Sequence, residues 1–138
     1  MQRPFHLRLA CDYETEKNEV HNLRVEILVE DEWKTLHLST KSPGFLLLVY
    51  GLFSCQHLYM RTNCAERNIT LEATTGELKL MAGEDWNIQS VDVVFLARIK
   101  SGQPSEDDIN YIIDRMGHCP VSTNIPDDIE KSVTVKFS

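Results

Sequence analysis

The chain has 138 residues, 42% hydrophobic and 25% charged, with a formal net charge of -7. Those proportions suit one soluble globular domain over residues 1–138, long enough to bury a core. The acidic balance argues against nucleic acid or an anionic membrane as partner, and no basic run contradicts it. The N-terminal stretch from Met1 to Arg8 lacks the apolar run of a secretory signal, so a cytoplasmic protein is expected. Four cysteines (Cys11, Cys55, Cys64, Cys119) occur without CxxC spacing. In such a chain they read as thiols rather than as a disulfide frame.

In chain order, Phe5, Leu7, Leu9 and Cys11 alternate with His6, Arg8 and Ala10, the period of a half-buried strand. A polar loop follows from Asp12 to Asn18. Leu23, Val25, Ile27 and Val29 predict a second strand, and Trp33 to Leu38 a third, the three forming an antiparallel meander. Ser42 then offers an N-cap oxygen and Pro43 suits a first helical position. From Phe45 to Phe53 every residue except Gly51 is apolar or aromatic. A helix apolar all round is a buried one. After Cys55 the pattern opens, with Gln56, Arg61, Asn63, Glu66 and Arg67 expected on a solvent-facing side. One helix of about 25 residues, roughly 37 Å long, is predicted, buried first and amphipathic later. Asn68 is a plausible stop.

Ile69, Leu71 and Ala73 restart period 2, and the strand either continues to Met81 or breaks at Thr75-Gly76. Val91 to Ile99 is another strand. Ser105 before Glu106-Asp107-Asp108 marks a helix start. Ile109, Ile112, Ile113 and Met116 give that helix an apolar face, and Gly117 ends it. His118-Cys119-Pro120-Val121-Ser122 follows, then a loop or short helix to Asp128. Val133, Val135 and Phe137 close with a strand. The order is three strands, a long helix, two strands, a shorter helix and a last strand, an α+β domain.

Neither Cys55, deep in its helix, nor Cys119, beyond a helix C-terminus, is activated by position, so a reactive thiol needs a cation beside it. Gly51 lies one turn before Cys55 on the same face, where it either permits tight packing or leaves a notch for another backbone. Cys55 and His57 are about 200° apart around the helix and cannot share an ion. His118 and Cys119 lack further ligands, and no metal site is expected. Cys64 falls on the face opposite Cys55. No nucleophile elbow and no phosphate- or dinucleotide-binding glycine loop occurs, and no cofactor is called for.

A proline-started apolar helix carrying a cysteine (Pro43 to Cys55), Cys119-Pro120-Val121-Ser122 after an amphipathic helix, and the spacing of the two cysteines together resemble the OsmC/Ohr family. These are osmotically inducible protein C and the organic hydroperoxide resistance proteins. The element order is similar over essentially the whole chain. The resemblance implies antiparallel sheets around a long central helix in an intertwined homodimer, with the sites at the subunit interface. It also implies a thiol peroxidase pair of catalytic residues. Cys55 would attack an organic hydroperoxide and become a sulfenic acid; Cys119 would resolve it to a disulfide that an external dithiol reduces. An arginine over the first cysteine, Arg8 or Arg24 here, and the notch at Gly51 would bind substrate.

The peroxidase branches commonly carry an acidic residue after the helix-start proline, whereas Gly44 and Phe45 stand there. A weaker thiolate at Cys55 is therefore expected. The alternative within the fold is a redox-sensing or non-catalytic protein that binds a small apolar ligand at the dimer interface. The apolar segment from Phe45 to Phe53, needing more cover than one chain supplies, independently predicts the homodimer.

Overall fold

The structure, a computed structural model, describes residues 2–138. Strand β1 (Arg3–Glu14) turns into β2 (Glu19–Val29) and β3 (Glu32–Thr35), followed by helix α1 (Gly44–Glu66). Next come β4 (Thr70–Ala82), β5 (Ile88–Ser101), helix α2 (Glu106–Met116), a 3-10 turn (Ser122–Asn124) and β6 (Glu130–Phe137). The element order is the predicted one. All six strands join one sheet in the order β3-β2-β1-β4-β5-β6. Every neighbouring pair is antiparallel except β5 and β6, which run parallel with Val93 beside Val133 and Phe95 beside Val135. The expected sheets are thus a single mixed sheet in this chain, because α2 returns the chain to the same end before β6 begins.

One face of the sheet carries the alternating apolar residues Leu7, Leu9, Leu78, Leu80, Val93 and Phe95, all buried. Helices α1 and α2 pack on that face and on each other. The strand through Thr75-Gly76 does not break. Gly76 pairs across with Phe95, and a Cβ on Gly76 would stand 2.6 Å from the Phe95 ring. Phe95 in turn stacks on Phe53 of α1 at 5.9 Å. Glycine is there so that an aromatic ring can lie on the backbone.

The ends of α1 differ in detail from expectation. Pro43, with φ -56° and ψ 132°, is the residue that precedes the first turn, and no side chain caps the helix. The Ser42 hydroxyl instead accepts from the Ser39 N–H at 3.0 Å, closing the loop before the helix. At the other end Asn68 adopts the left-handed conformation with φ 61°. The Ile69 N–H then reaches back to the Cys64 carbonyl at 2.9 Å. An asparagine tolerates that backbone better than most residues. The α2 cap is as predicted: Ser105 and Asp108 form a reciprocal capping box.

Burial along α1 reverses the expected order. Val49, Leu52, Phe53, Gln56, His57, Met60, Asn63 and Cys64 form its buried stripe, so the polar residues Gln56 and Asn63 face inward rather than to solvent. In the nominally all-buried half, Leu47 and Leu48 are 37% and 46% exposed, and Leu58 further on is 42% exposed. The spacing explains it. The stripe recurs at three- and four-residue steps, and one sheet covers only one side of a helix. The second apolar side, running through Leu47, Leu48 and Leu58, is uncovered.

Candidate functional site

Cys55 stands on α1 at the edge of the buried stripe and is half-buried. Cys119 stands three residues beyond the last residue of α2, fully buried. The two thiols lie close enough for each to act on the other, and the backbone of Val121 also faces the Cys55 sulfur. Both cysteines are reduced. The segment after α2 is shaped to deliver Cys119. Its N–H bonds the Met116 carbonyl at 3.3 Å, its carbonyl takes the Thr123 N–H at 3.0 Å, and its sulfur accepts the Ser122 N–H at 3.3 Å. Two more bonds come from α1: Gln56 Nε2 donates to the Met116 carbonyl at 2.7 Å and to Cys119 Sγ at 3.2 Å.

The electrostatics at Cys55 favour the protonated thiol. Burial, then the neighbouring Cys119 thiol, push Cys55 up to about 11, against a smaller lowering by the Val121 backbone. No arginine is among the groups acting on it. The structure does not bring Arg8 or Arg24 to the thiol. Arg8 alternates with the buried Leu7 and Leu9, so it stands on the sheet face away from α1. There its Nε bonds Glu26 at 2.9 Å and its guanidinium lies 4.2 Å from the Trp33 ring centre. Arg24 lies 3.9 Å from the same carboxylate. Both line an outer-face groove of about 540 Å³. The strand period that puts Leu7 and Leu9 inside puts these arginines outside.

Gly51 sits one turn before Cys55, and no atom comes within 4 Å of where its Cβ would be. Within one chain, then, it serves no tight packing. The notch is open and lies beside the exposed Leu47 and Leu48. Cys64 is buried against Met60, with 3.8 Å between sulfurs, and Cys11 gives its S–H to the Asp12 carbonyl at 3.4 Å. Neither joins the pair. Among the described residues no three metal-ligating side chains gather, and no helix is long and apolar enough to cross a membrane.

The opposite side of α1 holds a second buried polar cluster. The Tyr13 hydroxyl and His57 Nε2 are 2.7 Å apart, and the His57 ring stacks on Phe95 at 5.9 Å. Burial, helped by the charge of Arg61, lowers His57 to about 4, so the imidazole is neutral. Tyr13 is pushed well above its ordinary range, mainly by burial, and Cys11 up to about 11 for the same reason.

No protein-family model and no curated protein matches the sequence. The solved structures do match. An OsmC-like protein from Mycoplasma pneumoniae superposes with a TM-score of 0.55 at 15% identity, over 83% of this chain and 88% of that one. An OsmC-like hydroperoxide resistance protein from Jannaschia sp. CCS1 gives 0.57 at 13% identity, over 88% and 85%. The fold is OsmC-like. An organic hydroperoxide resistance protein from Elizabethkingia anophelis, with thiocyanate bound, gives 0.50 at 16% identity, over 94% of both chains. The OsmC-like fold accounts for the long helix laid on one sheet face and for a second helix ending beside its middle.

The residue that sequence reasoning missed at this site is Gln56. It looked like the first solvent-facing position after Cys55. Its signal was its place four residues after Leu52 and four before Met60, inside the stripe that connects the two.

Proposed function

We propose that this chain is a two-cysteine thiol redox protein that reduces organic hydroperoxides through Cys55 and Cys119, slowly at neutral pH. The observation that carries the proposal is the proximity of these two thiols, which the chain brings together from distant positions: Gln56, the residue after Cys55, donates to Cys119 Sγ at 3.2 Å. In the first step the Cys55 thiolate attacks the terminal peroxide oxygen, the O–O bond breaks, and the alkoxide takes a proton to leave as an alcohol. Cys55 is left as a sulfenic acid. Cys119 then attacks that sulfur, forming the disulfide and releasing water, and an external dithiol restores both thiols by exchange. The names of two fold neighbours, hydroperoxide resistance proteins, support the choice of substrate class.

The uncovered side of α1 supports a homodimer. Leu47, Leu48 and Leu58 are exposed and the notch at Gly51 is open, so a second copy laid along α1 would bury them and roof Cys55. A second reading, redox sensing or apolar ligand binding without efficient turnover, is favoured by one observation: Cys55 is pushed up to about 11.

The experiment is oxidation by an organic hydroperoxide followed by peptide mass mapping. A Cys55–Cys119 disulfide is expected, absent in Cys55→Ser. Cys119→Ser should stop after one oxidation of Cys55. A disulfide joining Cys64 to Cys55, or no oxidation of Cys55 at any pH, overturns the proposal. Light scattering at micromolar concentration tests the dimer, which a stable species near 15.9 kDa would refute.

A further inference from the structure

Gln56 is 2% exposed and lines a small internal pocket with Leu52, Val91 and Val93 on one hand and Ser122, Lys131 and Ser132 on the other. Its amide orientation is determined by chemistry. The Met116 carbonyl can only accept, so the group 2.7 Å from it must be the NH2 end. That same nitrogen is 3.2 Å from Cys119 Sγ, so the sulfur always faces a donor. The oxygen end has no protein donor. A buried amide with one end unpaired is a worse filler than leucine or methionine of similar volume, which points to a use for the paired end. Gln56 also directly follows Cys55. One helix step therefore links the residue that meets an oxidant to the residue that holds its partner.

We propose that Gln56 is a positioning residue for closure of the Cys55–Cys119 disulfide. With the Ser122 N–H at 3.3 Å, its amide fixes the Cys119 sulfur towards Cys55 and donates to that sulfur as it attacks. It does not touch the first reaction of Cys55. This rests on the two-cysteine pairing proposed above but not on the hydroperoxide.

The test uses 5,5′-dithiobis(2-nitrobenzoate) as oxidant, mixed with the reduced full chain in stopped flow. Cys55, losing its proton to buffer, displaces one thionitrobenzoate and forms a mixed disulfide. Cys119, also losing its proton to buffer, then attacks the Cys55 sulfur and displaces the second thionitrobenzoate, closing the Cys55–Cys119 bond. Peptide mapping confirms which cysteines react. In Gln56→Met the first phase should stay within about twofold of wild type while the second slows about tenfold. A structural role would slow or speed both phases together. In the wild-type protein, whose folding is not at issue, the Gln56 side-chain amide resonance should shift between the reduced and disulfide forms.

A Gln56→Met second phase as fast as wild type overturns the proposal. So does an amide resonance that ignores oxidation, or a wild-type chain that releases only one thionitrobenzoate from this pair. A wild-type chain that closes the disulfide in two phases yet ignores organic hydroperoxides sinks the peroxidase reading and leaves the role of Gln56 standing.

Discussion

Acid should weaken this fold through His57. The ring is 4% exposed and lowered to about 4, first by burial and then by the Arg61 charge. In the unfolded chain a histidine titrates near 6.5, so between these values the unfolded state binds the extra proton and the native state does not. The stability of keeping His57 neutral is fully present above about pH 6.5 and is lost as pH falls towards 4. At 1.36 kcal/mol per unit, the loss is about 2 kcal/mol by pH 5 and about 3 kcal/mol by pH 4. Tyr13 and Cys11, which face His57, do not titrate in this window, because both are raised. Hydrogen bonds hold Asp12, Asp85 and Asp108 below the usual carboxylate range, so the stability they add is lost as pH falls through and below that range. Urea unfolding at pH 7, 6, 5 and 4.5, at one protein concentration, measures the slope. His57→Gln retains an acceptor for Tyr13 without the titration, and its curve should be flatter by about 2 kcal/mol between pH 7 and 5. Identical slopes for wild type and variant would refute the reasoning.

Three further outcomes are expected. Gly76→Ala forces a methyl to 2.6 Å from a Phe95 ring that is fully buried against Phe53 and His57, and should cost about 1–3 kcal/mol in urea unfolding. Gly51→Ala adds a methyl in open space within one chain. Helix propensity alone would gain about 1 kcal/mol, but with a second copy in the notch the dimer should dissociate at tenfold or more higher concentration in dilution light scattering. Cys55, pushed up to about 11, should react with an alkylating reagent about tenfold faster per pH unit from 7 to 9, because only the thiolate reacts. A rate saturated by pH 6 would place a cation over the thiol.

Element order was legible because each segment keeps one period over several residues. What local pattern could not decide depends on partners across the sheet. Whether β4 continues through Thr75-Gly76 turns on Phe95, in the neighbouring strand, needing a bare backbone beneath it. Trp33 to Leu38 alternates well enough for a strand, yet pairing stops at Thr35, although the Leu36 N–H still bonds Val25. At the site, the meeting of Cys55 and Cys119 was implied by the resemblance and is present in the fold. The resemblance implies an arginine from the N-terminal strands, but the strand period of Arg8 and Arg24 gives both to the outer face. The polarity of Gln56 alone points to solvent. Its burial follows from a stripe whose neighbours are apolar, and its hydrogen bonds reach α2, which no local window contains.

The parallel pairing of β5 and β6 has a consequence for the two sulfurs. The chain leaves β5, passes through α2 and returns alongside, and L-amino acids make such a crossover right-handed almost without exception. Hand decides which side of the sheet receives the connecting helix, and here that side is the one α1 occupies. A crossover of the opposite hand would carry residues 117–119 to the outer face and leave the whole sheet between Cys55 and Cys119. Their proximity is thus inherited from backbone stereochemistry, with no attraction between thiols required. Substitutions in either helix can loosen the pair, but only a change of topology can part it.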